Sequence, residues 1–96
     1  MLVKIHKANN KKIVAICDAN LICKKFETRN LQLDLTSSFY KGEKKSAEEL
    51  IELLKNAYIV NIVGKESISL ALKARIIEKT NIIKIMNIPH AQAIIG

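Results

Sequence analysis

Apolar and polar positions alternate from the first residues, with Val3 and Ile5 set against Lys4 and His6. A period of two marks a half-buried strand. "KANNKK" then supplies turn residues and "IVAIC" resumes a β-rich run, so the pattern predicts a hairpin. "DANLICKKF" predicts one short helical turn, with Asp18 as its cap and Leu21 as its apolar anchor. In "LQLDLTS" the leucines Leu31, Leu33 and Leu35 fall on one side, and Gln32, Asp34 and Thr36 on the other. That is a strand with one wet face.

"SSFYKGEKK" is a loop, and it leads to Ser46-Ala47-Glu48-Glu49. Ser46 can accept from the third amide of a helix while Glu49 reaches back to the Ser46 amide, a capping box. Leu50, Ile51 and Leu54 form the buried stripe of this helix. "AYIVNIVG" is apolar on both faces and predicts a central strand covered on two sides. Gly64 ends it, and "ESISLALKARIIEK" predicts a second helix with Ile68, Leu72 and Ile76 on one face. "NIIKIM" and "AQAIIG" are closing strands, the latter entered from a rigid corner at Pro89. The expected architecture is α+β: a single small domain over residues 1–96, with a mixed sheet of about six strands and two main helices.

Composition adds constraints. Apolar residues make up 49% of the 96, enough for a core without metal or disulfide staples. The longest apolar runs are far below the roughly 20 residues that span a bilayer, and the N-terminus lacks the apolar core of a signal peptide. The expectation is a cytoplasmic protein with no membrane partner, whose Cys17 and Cys23 stay reduced. The formal net charge is +7, which favours anionic partners such as RNA. Abundant lysine, isoleucine and asparagine also arise from coding bias alone, so arrangement matters more than the total. Before residue 31 stand Lys4, Lys7, Lys11, Lys12, Lys24, Lys25 and Arg29 against only Asp18 and Glu27. The charge is segregated.

Candidate chemistry is sparse. "NIVGKES" sets Gly64 and Lys65 where a strand opens onto a helix, a place where free N–H groups can face an anion. The phosphate-binding loop needs an upstream glycine and a hydroxyl after the lysine. This chain has neither, Glu66 standing in the hydroxyl's place, so nucleotide hydrolysis is excluded and a tight turn accounts for the motif. Asn61 is the sole polar residue between Tyr58 and Gly64; it either pins a neighbouring loop or offers its amide to a ligand. Cys17, Cys23, His6 and His90 lack the close pairing of zinc sites, and Cys17 in an apolar strand is expected to be an inert thiol. Phe39, Tyr40 and Lys41 combine aromatic rings with a cation, as stacking on unpaired bases requires; the same rings could instead cover one end of the core. His90 and Gln92 share one face of the last strand, open either to a ligand or to water.

The segments "VAICDANLICKKF", "SSFYKGE", "VNIVGKES" and "IPHAQ" occur in the order of the archaeal domain-of-unknown-function 424 family, which the chain resembles over nearly its whole length. That family's pattern has glycine where Cys23 stands, and again just before the Ile88-Pro89 step, where Asn87 stands. The resemblance implies an archaeal cytoplasmic protein of α+β fold and no particular reaction. It also implies that Phe39-Tyr40, Asn61, Gly64 and Pro89-His90-Ala91-Gln92 are family features.

Two readings from different classes follow. The first is a non-catalytic RNA- or ribonucleoprotein-binding module linked to translation. Lys11, Lys12, Lys24, Lys25 and Arg29 would contact phosphates, with Phe39, Tyr40 and Lys41 as a stacking platform. The alternative is a small-ligand binder or enzyme, its pocket formed where Asn61, Gly64, Lys65, His90 and Gln92 converge, with His90 as acid–base. A third is an assembly protein pairing through an uncovered edge strand. No residue is assigned a catalytic or metal-ligating role, and no cofactor is expected.

Overall fold

The computed structural model describes residues 1–35 and 42–95. Among the described residues eight strands are present: β1 (Leu2–Ala8), β2 (Lys11–Cys17), β3 (Lys25–Glu27), β4 (Gln32–Asp34), β5 (Glu43–Lys44), β6 (Ile59–Val63), β7 (Ile82–Ile85) and β8 (Ile88–Ile94). Two helices, α1 (Ala47–Lys55) and α2 (Lys65–Lys73), flank β6 in the chain. Six strands form a mixed sheet in the order β5-β1-β2-β6-β8-β7, and β3 and β4 form a separate two-stranded sheet. The fold is α+β, as the pattern predicts.

Local chemistry explains the two long hairpins. β1 and β2 are joined only by Asn9 and Asn10, with φ of 52° and 64°; β7 and β8 are joined only by Met86 and Asn87, with φ of 51° and 65°. A two-residue turn with both φ positive matches the right-handed twist of the strands it connects, and asparagine tolerates that region better than other side chains. The turn fixes the register, so Lys7 pairs with Lys12 and Leu2 with Cys17. β2 then pairs with β6 in parallel, which needs a crossover. The chain makes it through residues 18–58, including α1.

The sheet is covered on both faces. Val14, Ile16, Val60, Ile62 and Ala91 pack against Leu50 and Leu54 of α1 and Ile68 and Ala71 of α2. The alternate positions, Ala15, Cys17, Val63 and Ile85, meet Leu21, Leu33 and Leu35 from the β3–β4 region. The capping box at α1 is present, with Ser46 Oγ accepting from the Glu49 amide at 3.3 Å and Glu49 Oε1 accepting from the Ser46 amide at 3.3 Å.

Three details depart from the sequence pattern. α2 ends at Lys73, short of the expected run, because Arg75 takes a left-handed φ of 59° and turns the chain back. Its buried positions are therefore Ser67, Ile68 and Ala71, with Leu72 and Ile76 only partly buried. Of the three leucines read as one buried face, Leu33 and Leu35 are buried while Leu31 is 44% exposed, because β4 begins after it. Finally, Pro89 lies inside β8 rather than before it. β8 meets β6 only from His90 onward, so the missing Pro89 N–H is not needed there.

Cys23 has φ of 67° and is exposed. A side chain in the left-handed region is strained, and glycine is not. Cys23→Gly is expected to raise stability by about 0.5–1 kcal/mol, read as a higher denaturant midpoint; a lower midpoint would show that the thiol contributes packing that outweighs the strain.

Candidate functional site

The parallel pairing of Cys17 with Val63 brings the next residues, Asp18 and Gly64, side by side where β2 and β6 end. The Asp18 amide donates to the Val63 carbonyl at 3.0 Å, and the Gly64 amide donates to the Pro89 carbonyl at 2.9 Å. Asp18 is 94% buried, being 6% exposed. One carboxylate oxygen accepts from the Glu66 amide at 3.1 Å, and the other from both the Ser67 amide and Ser67 Oγ at 2.8 Å. The side chain thus caps α2. The Asp18 cap expected for the short turn Ala19–Leu21 makes no side-chain bond there, because the carboxylate is drawn to the free amides of a helix distant in sequence.

This arrangement decides what the Gly64–Lys65 corner can do. Gly64 has φ of 106°, and a Cβ at that position would collide with the Asp18 carboxylate. The N-terminal amides that could have faced a phosphate already face a carboxylate. Lys65 is exposed beside them. An incoming anion at this corner would meet negative charge, so the corner is a structural clasp.

His90 lies one row away. On the sheet face opposite the helices it stands between Val63 of β6 and Ile83 of β7. It is half-buried, and its Nε2 is shielded from solvent with no hydrogen-bond partner among the described residues. Burial pushes its pKa below the ordinary 6.5. Cys17 lies in the same row, fully buried; burial, reinforced by the neighbouring Asp18, pushes the thiol up to about 11. Such a thiol is inert at neutral pH.

The adjacent row carries polar side chains. Register links Lys4 to Ala15, Ala15 to Asn61, and Asn61 to Gln92 across β1, β2, β6 and β8. All four point to the face opposite α1 and α2, because their neighbours Val3, Val14, Val60 and Ala91 face the helices. Lys4 and Gln92 are exposed and Asn61 is half-buried. Among the described residues neither the Asn61 nor the Gln92 amide makes a side-chain hydrogen bond, so Asn61 pins no loop there.

The basic residues form two groups. Lys11 and Lys12 begin β2 at the hairpin tip, and Lys24 and Lys25 follow its far end, so the strand separates them by about 20 Å at 3.3 Å per residue. Arg29 sits on the turn between β3 and β4, and Lys25 is paired with Glu27 at 3.6 Å. Lys11 lies 4.2 Å from the centre of the Tyr58 ring. Lys7 directly faces Lys12, a placement that the two-residue Asn-Asn turn encodes. Phe39, Tyr40 and Lys41 lie outside the described residues. Among the described residues no three His, Cys, Asp or Glu side chains cluster as metal ligands, and no helix is long and apolar enough to cross a membrane.

A family model described as "Protein of unknown function (DUF424)" matches residues 5–95. No curated protein matches the chain. Among solved structures, the chain is similar to an uncharacterized conserved protein from Methanopyrus kandleri, with 21% identity and a TM-score of 0.81 over 98% of this chain and 90% of that one. At that identity the likeness shows the fold.

Two outcomes test this geometry. Asp18→Ala should destabilise the protein by about 2–4 kcal/mol, since it leaves buried donors on α2 unsatisfied; a loss under about 0.5 kcal/mol in chemical denaturation would show that water replaces the carboxylate. For His90, a folded-state pKa below the unfolded value means that the unfolded chain takes up the proton first. Stability should be full above pH 6.5 and fall as the pH drops below it. His90→Leu should flatten that acid-side decline, and an unchanged slope would exclude His90 as its source.

Proposed function

The chain belongs to the DUF424 family, whose function is unknown, and from its charge distribution we propose that it is a non-catalytic module that binds RNA or a ribonucleoprotein, with a role linked to translation. The observation that carries this reading is the cross-strand pair Lys7–Lys12 beside Lys11 at the β1–β2 tip. Like charges directly opposite one another on a sheet are destabilising. Among the described residues neither Lys7 nor Lys12 has an ion-pair partner, and a polyanion would supply the missing counter-charge. Strands β1, β2, β6, β7 and β8 contain no aspartate or glutamate, which supports the same reading. Lys7 and Lys12 share the helix-covered face with Val3 and Val14, and Lys11 lies on the other face.

The competing pocket at Asn61, Gly64 and His90 has weaker support. Its anion-binding corner is filled by Asp18, and His90 offers a solvent-shielded nitrogen rather than an accessible acid–base group. Catalysis would need a proton-transfer group within reach of a substrate. Binding by charge needs only the free lysines.

RNA affinity is expected to fall linearly with salt on logarithmic axes, by about 0.7 per phosphate neutralised on a single strand. Replacing Lys7, Lys11 and Lys12 by glutamine should flatten that slope by about 2, while replacing Lys73 and Lys79 should leave it nearly unchanged. Equal effects from both sets, measured by fluorescence anisotropy across a salt series, would reduce the reading to bulk charge.

A further inference from the structure

We infer that the cross-strand amide pair Asn61–Gln92 is a base-reading site for single-stranded RNA, with adenine as its preferred base; this rests on the RNA-binding reading above and specifies where sequence is read. Asn61 stands in the middle of a central strand, where an amide is normally consumed by the protein's own hydrogen bonds. Among the described residues it makes no such bond. It is a direct register partner of Gln92, whose amide makes none there either, and the two project from the same face. Directly paired residues on a sheet have Cβ atoms about 4.5–5.5 Å apart, so two carboxamides meet at one spot.

The chemistry of that spot is specific. A carboxamide offers one acceptor and two donors in a plane, and it matches an adenine edge by accepting from the N6 amino group while donating to N7. A base inside a duplex could not be laid on a flat sheet in this way, but an unpaired base with its edges free could. The surroundings fit a nucleic acid better than a peptide. Lys4 is exposed in the same row, and the strands beneath carry no carboxylate. On the other side Gln92 borders an open cleft of about 660 Å³ whose lining includes Arg75, Asn81 and Glu78. Lys4 thus stands on one side of the amide pair and Arg75, with Glu78 near it, on the other, where the phosphates of a crossing strand would lie.

The test uses the intact protein and fluorescein-labelled 12-nucleotide homopolymers of A, C, G and U. Wild type should bind the A oligomer about tenfold more tightly than the U oligomer. Asn61→Ala and Gln92→Ala should each remove most of that preference while leaving the salt slope unchanged, and the double variant should lose no more than the stronger single one, since both amides act on one base. The lysine variants at the hairpin tip should do the reverse, flattening the slope and keeping the preference. Gln92 is exposed, so an unchanged melting temperature for Gln92→Ala separates lost recognition from lost folding. RNA binding with a normal salt slope but a base preference indifferent to both amide substitutions would overturn this inference and leave the RNA-binding reading intact. No RNA binding by wild type would overturn both, and tighter binding of an uncharged extended peptide than of any oligomer would assign the amides to a protein partner.

Discussion

The carboxylate of Asp18 is the contact on which the arrangement of the two layers depends. It leaves the end of β2 and receives two amides and a hydroxyl from the first turn of α2. A buried carboxylate is costly unless its oxygens are hydrogen-bonded, and bonds to a charged acceptor are stronger than neutral ones. Three donors offset that cost. In return the contact sets the position of α2 over the sheet, where Ile68 and Ala71 meet Val60 and Ile62. It also explains Gly64, whose place beside the carboxylate excludes any Cβ. Through the Gly64 amide and the Pro89 carbonyl the same junction reaches β8. The ends of three neighbouring strands and the start of a helix are thereby tied at one point.

Filling the positive end of α2 from within has an electrostatic consequence. The helix terminus, usually the readiest anion site on a small α+β protein, is closed to outside ligands. Among the described residues Lys7 and Lys12 on the β1–β2 hairpin and Lys4 along the sheet have no ion-pair partner. The carboxylates of α1 are kept on the opposite layer, and Lys45 is held between Glu43 and Glu49 at 3.4 and 3.8 Å. α1, with three glutamates to one lysine, therefore differs in charge from strands β1, β2, β6, β7 and β8, which together carry lysines and no carboxylate.

The turns show how much of the fold rests on backbone conformations that most residues resist. Asn9, Asn10, Cys23, Arg75, Met86 and Asn87 all have positive φ. In the two long hairpins strand pairing holds the conformation whatever the side chain, at a cost of order 1 kcal/mol per position.

What the sequence determined by itself was local. Alternation at Val3 and Ile5, the doubly apolar run around Val60, and the Ser46–Glu49 spacing each encode an element through a period or a cap that depends only on nearby residues. Hence the hairpin, the central strand and α1 were legible, as was the α+β class. The ends of elements were less so, because Arg75 and Leu31 were decided by where the chain had to turn over the core. Of the candidate sites, the sequence marked Asn61, Gly64, His90 and Gln92 as unusual but could not sort them. Their roles separate only once β2, β6 and β8 lie side by side. Then Asp18, 46 residues before Gly64, closes one corner, Nε2 of His90 is shielded from solvent, and Asn61 and Gln92 come to lie opposite each other. Those outcomes are pairings between distant segments, and strand register, not side-chain identity, decides them.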